Sequence, residues 1–274
     1  MPVRLTPALE AEYQHLFDTC LIRPERAALV NSLVTKIESN RNRYATVGDP
    51  LGIPWYFIGI VHNMEASLNF GTHLHNGDSL LRRTKQVPAG RPKTGNPPFT
   101  WEESATDALK LEGLDQVTNW SLPGILFRFE AYNGFGYRMR HPEILSPYLW
   151  SFSNHYTRGK FVADGTFSST AVSQQCGAAI LLRRMAETGV IQFNSDGVPL
   201  HSTVETTEGT NSLASFEPLV RFSNTKRSDM GEELQRALNK FPGIFVKVDG
   251  KPGTKTSDAF KRLTGHFLMG DPRA

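Results

Sequence analysis

WYFIGIVHNMEASLNFGTHLHNGD, residues 55–78, decides how the chain is read. Its first part is apolar on almost every side and opens behind Pro54, which predicts a helix from about Pro54 to Leu68 buried over most of its surface. Its second part is polar and carries Asn76-Gly77, which predicts a turn or short hairpin. The helix delivers Glu65 near its C-terminal end and the turn delivers Asp78. Desolvation behind an apolar stretch favours a protonated Glu65, whereas a polar turn leaves Asp78 ionised. Breaking a glycosidic bond uses such a contrast, with one carboxyl to protonate the leaving oxygen and a second to support the cation or activate water. Asn-Gly-Asp is equally ordinary turn chemistry and helix ends are commonly solvated, so the residues alone leave both readings open.

Outward from this stretch, residues 6–43 show helical spacing through Leu9, Tyr13, Leu16 and Phe17, then again in ERAALVNSLVTKIESNR behind Pro24, which predicts two helices. VGDPLGIP is a turn. Residues 71–98, crowded with Gly, Pro, Asn and Thr, suit a short hairpin and a long loop. Thr100 with Glu103 is a capping-box pattern that opens a further helix. NWSLPGILFRFEAYNGFGY reads as a helix to Tyr132 stopped at Gly134. HPEILSPYLWSFSNHYTRGKFVADGTF is aromatic and broken by prolines, so it is expected to line a surface. SSTAVSQQCGAAILLRRMAETG predicts a capped amphipathic helix ended by Gly189. Residues 196–228 have the composition of a linker, and residues 229–274 resume a helical pattern.

The chain has 274 residues, 39% hydrophobic and 21% charged, the balance of a globular protein with a full core. A formal charge of +3 spread over scattered Lys and Arg residues implies no nucleic-acid partner. No run is long enough for a membrane span, and no apolar stretch follows a basic N-terminus. Synthesis in the cytoplasm is therefore expected, with another agent carrying the product to any outside substrate. Cys20 and Cys176 are far apart and fit no zinc spacing; one bridge is possible, though Cys176 lies in an apolar pattern where a buried thiol is the usual outcome. His62, His73, His75 and Asp78 invite a metal reading, because His-x-His with an acid can bind zinc. His62 belongs to the helix with nothing in the sequence to bring it near the others, so no metal and no cofactor is expected.

MEASLNF at the end of a buried helix, followed much later by RFEAYNGFGY, resembles the lysozyme superfamily, in its soluble lytic transglycosylase and goose-type lysozyme branch. Glu65, Ala66 and Ser67 match the family's catalytic motif, and Ala131, Tyr132, Asn133 and Gly134 match its later Ala-Tyr-Asn-x-Gly. The resemblance spans roughly residues 50–185, while the family's Gly-Leu-Met-Gln stretch is replaced by GTHLHNGDSLLRRTKQVPAGRP. It implies a mainly α, lysozyme-like domain over residues 1–195 with a small β-hairpin region. It also implies Glu65 as general acid, Asp78 on the hairpin as second carboxylate and Asp164 in reserve. Ser67, His75, Tyr132, Asn133, Trp150, His155 and Tyr156 would line a sugar groove, although Trp150 and Tyr148 also fit a core role.

The tail LQRALNKF…VDGKPGTKTSDAFKRL resembles the small three-helix peptidoglycan-binding domain through Leu234, Gln235, Asp249, Gly250, Gly253, Thr256, Ala259 and Phe260. There Asp249-Gly250 and Gly253 make turns and Thr256 caps the last helix. Together the resemblances imply a muramidase of endolysin or autolysin type that cuts the β-1,4 glycan of peptidoglycan and acts at the cell wall. The alternatives are a lytic transglycosylase leaving 1,6-anhydro ends, an enzyme on chitosan or another amino-sugar polymer, and a non-catalytic wall-binding protein. Oligomeric state is not legible.

Overall fold

The computed structural model describes residues 3–163, 165–191, 193, 213, 216, 219–241 and 243–274. It is mainly helical, in the order α1 (Pro7–Asp18), α2 (Ala27–Ser39), α3 (Arg41–Gly48), α4 (Trp55–Ala66), α5 (Trp101–Leu111), α6 (Leu122–Tyr132), α7 (Gly136–Arg140) and α8 (Pro147–Trp150). Strands β1 (Lys160–Ala163) and β2 (Thr166–Ser168) follow, then α9 (Ala178–Thr188), α10 (Asp229–Leu238) and α11 (Thr254–Thr264). The chain divides into two compact units: Met1–Tyr13 with Ile22–Met185, and Gln14–Leu21 with Ala186–Ala274.

The first unit is built around α4. Phe57, Ile58, Ile60 and Val61 are fully buried, and at roughly 1.5–3 kcal/mol for each side chain removed from water they hold this helix in place. Phe57 stacks on Phe129 of α6 with ring centroids 4.7 Å apart. Gly59 permits a close helix crossing, since a Cβ there would lie 2.4 Å from Ile37 Cγ2 of α2. The residue α4 needs at that crossing is therefore the one with no side chain. Its C-terminus is abrupt. The helix stops at Ala66, two residues short of the expected end, because Ser67 (φ 49°) and Leu68 (φ 62°) both turn left-handed. The His62 carbonyl accepts the N–H of Ser67 and that of Leu68, the latter at 3.3 Å.

Four expectations are corrected in this unit. The N-terminal region holds three helices, because the second helical run breaks at Asn40 and resumes as α3. No hairpin occupies residues 71–98, where a single antiparallel bridge joins Thr72 to Ser79. Pro88, Pro92, Pro97 and Pro98 remove donors a ladder would need. The two-stranded sheet lies instead at β1 and β2, with Lys160 opposite Ser168 and Phe161 opposite Phe167. The segment expected at the surface contributes core: Leu149, Trp150, Phe152 and Tyr156 are all buried. Finally, α9 begins only at Ala178. Just before it Gly177 is pressed on the Leu149 carbonyl, which an added Cβ would meet at 2.2 Å.

In the second unit, Leu234, Leu238, Val246, Phe260 and Leu268 form a small core, and Phe17 meets Phe193 and Phe245 edge-on. Residues 219–228, expected to end a linker, belong to this unit. Val220 is buried, Phe222 N–H donates to the Met269 carbonyl (2.9 Å) and Ser223 N–H to the Pro252 carbonyl (3.0 Å). Much of the remaining linker lies outside the described residues. The Gln235 side chain, almost wholly buried, organises the turn between α10 and α11. Its carbonyl accepts the N–H groups of Asp249 (2.9 Å) and Gly250 (2.8 Å), and its amide donates to Asp249 Oδ1 (3.0 Å), the Lys251 carbonyl (3.1 Å) and Thr256 Oγ1 (3.2 Å). Thr256 therefore sits inside α11 as a buried acceptor, and the helix is capped instead at Gly253, with Asn224 Oδ1 accepting the Thr254 N–H (3.2 Å).

Candidate active site

Glu65 lies one residue from the end of α4, half-buried, behind the buried Met64. Burial raises its pKa above the ordinary carboxylate range; a hydrogen bond from Tyr148 works against this, and the Glu112 charge reinforces it. Carbonyl groups at a helix C-terminus present negative charge, which also disfavours an anion there. The Tyr148 hydroxyl donates to Glu65 Oε1 at 2.8 Å. Tyr132 is near enough for the charges of Glu65 and Glu112 to act on it, and with burial they push its phenol well above the usual range. Tyr148 is pushed the same way by burial and then by Glu65. Both phenols therefore stay protonated and available as donors to a carboxylate or a sugar oxygen.

Three elements converge here, each at a terminus: the end of α4, the end of α6 with Tyr132, and α8 with Tyr148 as its second residue. The last turn of α4 is pinned from outside by Gln175, whose amide donates to the Met64 carbonyl at 2.7 Å. Behind the site, His62 is sealed among Tyr44, Phe70 and Trp101, with Tyr44 Oη 3.1 Å from its Nδ1. Burial lowers its pKa to about 4, so it stands there as a neutral ring.

Asp78 is adjacent by backbone: a Cβ added to Gly77 would lie 3.9 Å from the Glu65 carbonyl oxygen. Its carboxylate holds the loop that follows. Oδ2 accepts the N–H of Lys85 (2.7 Å), the N–H of Gln86 (3.0 Å) and the Asn76 amide (3.2 Å), and these bonds lower its pKa. It anchors the loop. The carboxylate whose field reaches both Glu65 and Tyr132 is Glu112, exposed just past the end of α5. Asp164 lies outside the described residues.

The remaining expected groove residues separate into two groups. Ser67 and Asn133 are exposed at the ends of α4 and α6. Trp150 and Tyr156 are core residues, 2% and 4% exposed, and a ring at that depth offers no face to a sugar. The Tyr156 hydroxyl donates to the Gly159 carbonyl (3.2 Å). His155 lies edge-on to Trp150. His75 is also corrected: its ring is buried, with Nε2 2.8 Å from Asp107 Oδ2, and Arg91 grips the same carboxylate through two bonds. His73 is held between Ser104 Oγ (2.8 Å) and the Arg82 carbonyl (2.7 Å). The three histidines thus answer to separate partners, and among the described residues no group of three or more His, Cys, Asp or Glu could hold a metal ion.

Sequence reasoning missed Tyr148, Glu112 and Gln175. Tyr148 reads as one aromatic among several, Glu112 as a solvated helix end and Gln175 as part of a polar run; no local pattern couples any of them to Glu65. A cavity of about 430 Å³, lined by Thr46, Val47, Glu102, Asp107 and Lys110 among others, includes none of Glu65, Tyr132 and Tyr148. No family model matches the chain, and no curated protein or solved structure gives a significant match.

Proposed function

We propose that the chain is a glycosidase that cleaves the β-1,4 glycan of peptidoglycan, a muramidase of endolysin or autolysin type, with Glu65 as general acid. The observation that carries this reading is the Glu65 carboxyl itself. It closes a buried helix, burial raises its pKa, and Tyr148 fixes one of its oxygens at 2.8 Å. A carboxyl that keeps its proton towards neutral pH can pass it to the leaving oxygen of a glycosidic bond. Half-exposure, in place of an enclosed cavity, suits a polymer strand that must lie across the acid. The second unit, whose Leu-Gln and Asp-Gly residues build a compact turn, would tether the enzyme to its wall polymer and raise its effective concentration there.

General acid catalysis contributes roughly 10²–10⁴-fold. Glu65→Gln keeps the shape and removes the proton donor, so it is expected to lower turnover by about that factor while wall binding is unchanged. The test is digestion of purified peptidoglycan with fragments read by mass. No soluble fragment from the wild-type protein, or equal release by the variant, ends the proposal.

One observation favours a second reading within the same chemistry. With Asp78 Oδ2 engaged by Lys85, Gln86 and Asn76, a single glutamate can serve as acid and then base, while the sugar's own hydroxyl closes a 1,6-anhydro ring. Anhydro ends in the same digest would identify a lytic transglycosylase; reducing ends identify a hydrolase.

A further inference from the structure

Between Asp78 and Trp101 the chain carries five cations, Arg82, Arg83, Lys85, Arg91 and Lys93, and no Asp or Glu. The formal net charge of the whole chain is only +3. Two of the five are engaged internally: Arg91 pairs with Asp107, and Arg83 donates to the Gly95 carbonyl and lies over the Phe99 ring. Arg82, Lys85 and Lys93 are exposed, with the Arg82 charge near enough to Asp78 to help lower that carboxyl's pKa. The same loop presents the two most exposed large apolar side chains of the described residues, Leu81 at 78% and Val87 at 89%.

Their exposure is fixed by the fold. Asp78 Oδ2 holds the N–H groups of Lys85 and Gln86, and His73 Nε2 lies 2.7 Å from the Arg82 carbonyl. The Thr84 N–H donates to the Arg91 carbonyl (2.8 Å), Gly90 N–H to the Thr84 carbonyl (2.8 Å) and Phe99 N–H to the Leu80 carbonyl (2.9 Å). A loop tied at this many points loses little backbone freedom when it meets a partner.

We infer that residues 79–93 form a docking surface for an anionic lipid bilayer, with Leu81 and Val87 entering the headgroup layer and Arg82, Lys85 and Lys93 meeting lipid phosphates. Two highly exposed aliphatic side chains on one cationic loop are what an interface with both a charged plane and an apolar interior rewards. A polyanion dissolved in water, a nucleic acid or a polyphosphate chain, would use the cations and gain nothing from Leu81 and Val87. The contact is one of docking: among the described residues no helix is long and apolar enough to cross a membrane. It does not depend on the chemistry assigned to Glu65, since it is read without any glycan.

The test is sedimentation of the full chain with vesicles of phosphatidylcholine alone or mixed with phosphatidylglycerol. Binding is expected only to the mixed vesicles and should weaken with added salt. Arg82→Ser and Lys85→Ser together should lower partitioning by about 25-fold, at roughly fivefold per cation. Lys36→Ser with Lys240→Ser removes the same charge from other exposed positions and should change it little. Leu81→Ser with Val87→Ser should lower vesicle binding by about 100-fold where both side chains are fully withdrawn from water and leave any binding to soluble polyphosphate unchanged. The inference is overturned by absence of binding to mixed vesicles, by equal losses from both charge pairs, or by vesicle binding indifferent to the two aliphatic substitutions. The substituted residues are exposed, and unchanged circular dichroism and melting would establish that each variant is folded.

Discussion

Tyr148→Phe removes one oxygen and keeps the ring. In the native protein that hydroxyl donates to Glu65 Oε1 at 2.8 Å and favours the ionised carboxylate, in opposition to burial and to the Glu112 charge. A hydrogen bond to a charged acceptor is worth roughly 1.5–3 kcal/mol, against about 1 kcal/mol for a neutral one. Glu65 is half-buried, and solvent screening reduces the difference to about 1 kcal/mol. Losing it raises proton affinity by about fivefold, so the variant holds its Glu65 proton to higher pH than the wild-type protein does. An enzyme with Glu65 as general acid loses activity as pH rises through this titration, and that alkaline limb should therefore move upward in Tyr148→Phe. Two assays read the shift: carbon NMR titration of the Glu65 carboxyl, with Glu65→Gln to assign it, and the pH dependence of peptidoglycan digestion. A Tyr148 that only supports packing would depress turnover at every pH and leave the limb in place. A limb that stays fixed or moves down refutes the reasoning.

Glu65 also links stability to pH: its folded pKa is raised, so below the ordinary value of 4.5 both folded and unfolded states carry the proton and burial is not penalised. As pH rises from there through the folded titration the wild-type protein loses stability, so the melting temperature of Glu65→Gln relative to wild type should grow across that window and then level off, as calorimetry would show. Asp78 is the opposite case; its lowered pKa stabilises the fold above the ordinary 3.8 and the contribution disappears as pH falls through the lower folded value. Asp78→Asn should lower the melting temperature and speed amide exchange at Lys85 and Gln86, while cutting glycan cleavage far less than Glu65→Gln; equal losses would restore Asp78 as a second acid. Gln235→Ala removes five hydrogen bonds to four residues and should destabilise the second unit by about 3 kcal/mol in denaturant unfolding.

Some of this was legible in the sequence because its causes are local. The capping box at Thr100 and Glu103 forms as the spacing predicts, with Thr100 N–H donating to Glu103 Oε2 at 2.7 Å and Glu103 N–H to Thr100 Oγ1 at 3.2 Å. Helix α6 runs to Tyr132, with Gly134 left-handed just beyond, and α9 ends at Thr188 before left-handed Gly189. The placement of α4 followed from its apolar run. What the sequence concealed was pairing across distance. Tyr148 stands 83 residues beyond Glu65, and nothing in SPYLW separates the tyrosine at the site from the tryptophan in the core. Asp78 shows the same limit: a turn aspartate that anchors a loop and one that serves a reaction carry the same local pattern, and the N–H groups of Lys85 and Gln86 on its Oδ2 are visible only in the fold.

The end of α4 shows why the candidate acid and its setting belong together physically. A helix continuing through Leu68 would carry the chain onward from Glu65 along the same axis. Ser67 and Leu68 instead turn left-handed at a cost of roughly 1–2 kcal/mol each for residues other than glycine. That cost is sustained by the buried face of Phe57, Ile58, Ile60 and Val61, which cannot shift to relieve it, and by Gln175 holding the Met64 carbonyl. The turn also lays Asn76-Gly77-Asp78 against the Glu65 backbone and, through the Asp78 carboxylate, ties down the cationic loop that follows. One strained helix terminus thus carries the half-buried carboxyl of Glu65 and lies beside the turn whose Asp78 anchors the loop bearing Leu81 and Val87.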